Sequence, residues 1–238
     1  MSDISMPRLP SLMLLMFRAP ISRRAFVAST IGGAATVAVS GSPAFAQQKK
    51  GPAEVPVAEL MQPGPLPDLV LGKADAPVTI VEYASMTCGH CANFHTKVLP
   101  SIKQKYIEPG KVRLILREFP LDTRAAAASM LARCSGPDKA YDLIGKLFAE
   151  QESWAFVQTN PVAALYKIAE TAGFNDDTFK KCVGDEKLLE SITQARDKAS
   201  KSFGVSATPT FFINGKRLEA PSDQVESFDK AIEPLLKK

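Results

Sequence analysis

Val78-Thr79-Ile80-Val81-Glu82-Tyr83-Ala84-Ser85-Met86-Thr87-Cys88-Gly89-His90-Cys91 decides how the rest of the chain is read. Its first seven residues are β-branched, aromatic or small, with one carboxylate among them, and Pro77 and Ser85 bound the run; it predicts a buried strand. The Cys88-x-x-Cys91 spacing that follows serves three chemistries: a redox dithiol, half a zinc site, or haem attachment. Haem attachment needs a histidine directly after the second cysteine, and Ala92 stands there. A structural zinc site closes with four ligands, and beyond His90 the chain offers only His95 and no second C-x-x-C. A redox dithiol needs its first cysteine exposed at a helix N-terminus, where the dipole and free N–H groups favour the thiolate. Cys88 falls at that junction of strand and helix, so the redox reading is taken and no metal is expected.

Working outward, Ala92 to Tyr106 reads as a helix kinked at Pro100. Pro109-Gly110 turns the chain into a second strand, Val112 to Phe119. Strand, helix and strand with short joints make a βαβ unit, whose strands run parallel. Residues 122–190 then read as nearly all helical. Asp122 or Thr123 caps a helix to Cys134, Asp138 opens another to Glu150, Asn160-Pro161 starts a third that Gly173 closes, and Asn175 opens a short one through Cys182. A long helix follows from Asp185 to Phe203. Strands return as Thr210–Ile213 and Lys216–Glu219 around Asn214-Gly215, a strong hairpin signal, and Ser222 is expected to cap a last helix from Asp223 towards Leu236. The expected divisions are 78–121 (βαβ), 122–190 (helical insertion) and 191–238 (αββα).

The 238 residues, 45% hydrophobic and 23% charged, carry a formal charge of +4. Most of that charge sits in the first 46 residues, which hold Arg8, Arg18, Arg23, Arg24 and a single acid, Asp3; the remainder balances 25 basic against 24 acidic side chains. A nucleic-acid binder concentrates positive charge in its folded part, so no nucleic acid is expected as partner. Ser22-Arg23-Arg24-Ala25-Phe26-Val27 resembles a twin-arginine export motif. The uncharged run from Ala25 ends in Ala44-Phe45-Ala46, a small-x-small cleavage pattern. Residues 1–46 are therefore expected to be an export signal, with an uncleaved membrane anchor as the other reading and Met13 or Met16 as further candidate starts. Residues 47–77, with Pro52, Pro56, Pro63 and Pro65, read as a tether or poorly ordered arm. Export places the mature chain in an oxidising bacterial envelope. No G-x-G-x-x-G or phosphate loop appears, so no cofactor is expected.

Glu82-x5-Cys88-Gly89-His90-Cys91, followed much later by Ala207-Thr208-Pro209-Thr210 before a hairpin, resembles the DsbA-like branch of the thioredoxin superfamily, and the likeness extends from about Val78 to Leu236. It implies an α/β fold, a central mixed sheet flanked by helices and interrupted by a helical insertion. It also implies roles. Cys88 is the nucleophile, Cys91 the buried resolving thiol, and Gly89 and His90 tune Cys88. Glu82 relays protons for Cys91, and Thr208-Pro209 is a cis-proline loop that offers backbone to an extended substrate. The Gly-His pair departs from the Pro-His of DsbA and matches protein disulfide isomerase, and Thr208 stands where DsbA has Val. The implied partners are reduced, unfolded exported proteins and a DsbB-type membrane protein that reoxidises the dithiol. Bacterial isomerases of this superfamily carry an N-terminal dimerisation domain for which residues 47–77 are too short, so a monomer is implied.

Cys134 and Cys182 both fall in the insertion. A structural disulfide between them is the reading taken; two unpaired buried thiols or a second redox pair are the others. Phe94, Val98, Phe119, Leu143, Leu147, Phe148, Trp154, Phe156, Phe211 and Phe212 recur at helix or strand periods and are assigned to the core, some of them lining the groove beside Cys88. His95, four residues after Cys91 and on the same helical face, is read as an ordinary packed or half-exposed helix residue with no role.

Overall fold

The computed structural model of the protein describes residues 51–237; the expected leader, residues 1–46, lies outside them. β-Branched and aromatic runs supply five strands: β1 Leu69–Leu71, β2 Val78–Ala84, β3 Val112–Glu118, β4 Thr210–Ile213 and β5 Lys216–Arg217, in the order β1-β3-β2-β4-β5. β2 runs parallel to β3, with Glu82 opposite Leu116, and antiparallel to β4, with Glu82 opposite Phe211. Covered on both faces, as a central strand must be, β2 has all seven residues buried. One face places Val78 and Ile80 against Phe94, Val98, Phe211 and Phe228. The other places Val81 and Tyr83 against Ile115, Phe203 and Phe212.

Short helix α1 (Val57–Leu60) precedes the sheet. After β2 the chain stays helical from 89 to 107 as α2 (Gly89–Asn93), a π turn (Phe94–Val98), α3 (Leu99–Ile102) and a second π turn (Lys103–Ile107). Pro100, where a kink was expected, lies in α3 with a wider turn on either side. Proline has no N–H for the i−4 carbonyl, and a π turn re-spaces the bonding around such a gap. The insertion then folds as α4 (Thr123–Cys134), α5 (Pro137–Ala149), α6 (Gln151–Trp154), α7 (Pro161–Glu170) and α8 (Asp176–Val183), before α9 (Glu186–Phe203) returns to the sheet. Side chains of Asp122, Asn160, Asn175 and Asp185 each accept a backbone N–H at the helix start they cap. The expected boundary at 190/191 falls inside α9. The mixed sheet with helices and a helical insertion is the α/β architecture that the resemblance implied. No helix among the described residues is long and apolar enough to cross a membrane.

Three expectations are corrected. The arm is folded from residue 51: Val55 and Leu60 are buried against the Tyr83 face, and β1 pairs with β3. Val55 N–H donates to Gly215 O and Arg217 N–H to Ala53 O, so the arm also covers the β5 edge. Apolar residues spaced between the prolines gave the arm enough surface to bury. The last helix, α10, spans Val225–Leu236 with Gln224 extended at its N-cap and no side-chain cap, so Ser222 does not start it. Phe156, placed in the core by its pattern, is 45% exposed, because it follows α6 in a bend rather than continuing the helical stripe.

Candidate active site

The chain leaves the C-terminal end of β2 at Ala84, and Cys88 takes the N-cap position of α2 in an extended conformation (φ −84°, ψ 118°). Its sulfur is half-buried, and the Sγ–H donates to Thr208 O at 3.2 Å. The Thr208–Pro209 peptide bond is cis, so the loop before β4 lies against the dithiol. Hydrogen bonding from the Cys91 thiol lowers the Cys88 thiol to about 5. Burial opposes this, and the Thr208 side chain and the backbone N–H groups of Cys91 and His90 add to it. Cys91, one turn in, is fully buried, and burial pushes its thiol well up, reinforced by Cys88 and by the charge of Glu82. Both are free thiols. Gly89 and His90 are exposed; a Cβ on Gly89 would meet nothing within 4 Å, so no steric demand fixes a glycine there.

A thioredoxin family model matches residues 66–234, and the crystal structure of Wolbachia pipientis alpha-DsbA1 is 33% identical, with a TM-score of 0.69 over 77% of this chain and 96% of that one. This chain belongs to the DsbA-like branch of the thioredoxin superfamily. The crystal structure of oxidised BdbD from Bacillus subtilis is 25% identical, with a TM-score of 0.63 over 72% of this chain and 94% of that one. A Rickettsia bellii protein provisionally named a protein-disulfide oxidoreductase is 35% identical over 168 residues. The match covers 70% of this chain and 65% of that protein, a little under two thirds of its length.

Around the DsbA-like dithiol the structure finds partners for His95, Gln151 and Thr87, to which the sequence reading gave no role. Glu82 is wholly buried, and the only hydrogen-bond partner of its carboxyl among the described residues is His95, Oε2 to Nε2 at 2.9 Å; Oε1 is buried without one. The signal for His95 was present: a buried carboxylate needs a partner, and His95 shares a helical face with Cys91. Gln151, 4% exposed in the insertion, donates its Nε2–H groups to Met86 O at 2.8 Å and Cys88 O at 3.1 Å. Thr87 Oγ1–H donates to Asp122 Oδ2 at 2.6 Å while Asp122 Oδ1 caps α4. Three hydrogen bonds thus tie the active-site turn to the helical insertion. Cys134 and Cys182 are bridged, with Cα atoms 6.2 Å apart, joining α4 to α8.

Proposed function

We propose that the chain is a thiol–disulfide oxidoreductase of the bacterial periplasm that oxidises reduced, unfolded exported proteins. The observation that carries this reading is a half-buried, readily ionised Cys88 at a helix start, touching Thr208 of the cis-proline loop and standing over a buried, reluctant Cys91. In the oxidised protein a substrate thiolate attacks Cys88 Sγ. The Cys88–Cys91 bond breaks, and Cys91 leaves as a thiolate and takes a proton. A second substrate thiol loses its proton, attacks the substrate sulfur of the mixed disulfide, and expels the Cys88 thiolate. The substrate has lost two electrons and the dithiol has gained them; a DsbB-type membrane partner takes them on. Thr208-Pro209 offers main chain to the extended substrate.

The test is oxidative refolding of a reduced, unfolded protein by the oxidised chain and its Cys88→Ser and Cys91→Ala variants. Loss of disulfide formation in both supports the reading; activity that survives both removes it, and leaves a chaperone-like binding module in its place. Gly89-His90 and Thr208 favour a couple somewhat milder than DsbA, between roughly −120 mV and the roughly −180 mV of protein disulfide isomerase. A potential as low as thioredoxin's would assign a reductase instead.

A further inference from the structure

The steps above need a proton at Cys91 Sγ at one moment only, when the buried sulfur leaves with the bonding pair. Glu82, whose charge bears on Cys91, and His95 are a buried ionisable pair, their side chains 0% and 2% exposed. The His95 ring cannot swing freely. It stacks on Phe148 of α5, centroids 4.3 Å apart and planes at 28°, and its neighbour Phe94 meets it edge-on at 5.3 Å. One ring nitrogen, Nε2, is thereby held against one carboxyl oxygen, Oε2, and the second oxygen is left buried and unpartnered among the described residues.

We propose that His95 is a positioning residue for the resolving cysteine: its Nε2–H donates to Glu82 Oε2, so that Oε1 is the oxygen that exchanges a proton with Cys91. This rests on the redox reading of the dithiol and assigns a further residue to it. When a thiolate opens the Cys88–Cys91 bond, Oε1–H gives its proton to the departing Cys91 sulfur, and the carboxylate so formed keeps its bond from Nε2–H. When the reduced dithiol is reoxidised, Cys91 returns that proton to Oε1 as its sulfur attacks the mixed disulfide on Cys88. The proton shuttles between the two side chains, and the imidazole stays neutral throughout. The raised Cys91 thiol, to which the charge of Glu82 contributes, fits the reduced half of this cycle.

Few other charges bear on the pair. On the helix above are Cys88 and Cys91 themselves. From α5 comes the phenol of Tyr141, which donates to Leu69 O and Leu114 O and feels the charge of Glu82. From β3 comes Glu118, held by Arg133 Nε and Nη2 at 2.5 and 2.8 Å. β4 brings only Phe211 and Thr210 opposite Glu82 and Tyr83.

The experiment follows, against pH, the rate at which dithiothreitol opens the Cys88–Cys91 disulfide of the full chain, in the wild type, His95→Leu, His95→Gln, Glu82→Gln and the Glu82→Gln/His95→Leu double variant. Divided by the concentration of dithiothreitol thiolate, which itself rises with pH, the wild-type opening rate should fall as pH rises and the proton donor to Cys91 is lost. Without the N–H donor the carboxylate is less favoured, so in His95→Leu that fall should come at higher pH. His95→Gln, whose amide N–H can reach Oε2, should stay with the wild type, and His95→Leu should change nothing once Glu82 is Gln. An unmoved midpoint in His95→Leu, or a shift that persists beside Glu82→Gln, overturns the proposal. Nitrogen-15 NMR of labelled histidine in the unaltered protein is a second arm that needs no variant. Nε2–H with a bare Nδ1 supports the assignment, and Nδ1–H with a bare Nε2 overturns it. Because dithiothreitol replaces the protein substrate, failure here is distinct from failure of the oxidase reading, which shows only with unfolded proteins.

Discussion

Replacing Cys91 with alanine should change the acidity of a different residue, Cys88. Hydrogen bonding from the Cys91 thiol is the largest influence lowering Cys88 to about 5. A hydrogen bond to a charged group is worth about 1.5–3 kcal/mol, and partial solvent screening at the half-buried Cys88 favours the lower end. At about 1.4 kcal/mol per pH unit, Cys91→Ala should raise the Cys88 midpoint by about one to one and a half units. The thiolate population at about pH 6 would then fall about fourfold for a midpoint near 6.5. The assay is the ultraviolet absorbance of the thiolate through a pH titration, with iodoacetamide alkylation as a kinetic check. Cys91→Ser keeps a donor at the same place and should titrate close to the wild type. The sign on stability follows. A lowered thiol favours the folded, reduced protein fully above its ordinary value of 9.0, and that advantage is lost as pH falls through about 5; in Cys91→Ala the full advantage is smaller and is gone about one unit higher. An unmoved midpoint in Cys91→Ala would show that the helix start and Thr208 set the acidity without Cys91. A wild-type midpoint near 9 would refute the site's electrostatics altogether.

Removing the insertion disulfide with Cys134→Ala and Cys182→Ala frees a loop of 48 residues, a loss of about 4 kcal/mol by loop entropy. Urea unfolding should shift accordingly while the Cys88 titration stays put; an unshifted urea midpoint would mean that packing alone holds α4 and α8 together. Gln151→Ala withdraws both N–H donors from Met86 O and Cys88 O. It should cost about 1–3 kcal/mol and quicken amide exchange at residues 86–88; unchanged exchange would remove Gln151 as a brace of the active-site turn.

What could be read from the chain depended on how local each signal was. β2 was legible because six of its seven residues, all but Glu82, suit a covered strand, and the dithiol because three residues of spacing carry its chemistry. The capping residues Asp122, Asn160, Asn175 and Asp185 were legible for the same reason, since a cap acts over a single turn. β1 was not. Three residues, Leu69–Leu71, carry no periodicity, and their strand exists only because β3, more than 40 residues on, presents an edge. Gln151 bonds carbonyls 63 and 65 residues away, and no spacing rule announces that. His95 was the near miss. Its distance of four from Cys91 was visible, but its partner Glu82 lies on a strand whose distance from the helix the sequence does not state.

The two sulfurs differ in what they need, and that difference explains the most awkward residue of the sheet. Cys88 leaves easily, because its thiolate is favoured from about pH 5 upward; release of an oxidised substrate therefore asks for no acid. Cys91 is a poor leaving group, since burial raises its thiol and leaving-group acidity governs exchange rates. Burial also protects it, because incoming thiolates can reach only Cys88. On the proposed reading the same burial both directs attack to the outer sulfur and creates the demand for a proton at the inner one. A lone carboxyl in a wholly buried seven-residue strand costs free energy. That cost is intelligible if the carboxyl is placed where a single proton must be delivered out of reach of water. A histidine locked by Phe148 and Phe94 then lowers the cost by giving the carboxylate a donor. Glu82→Leu should accordingly fold more stably than the wild type and open its disulfide more slowly at neutral pH. A variant that gained stability without losing speed would leave Glu82 without a reason to be there.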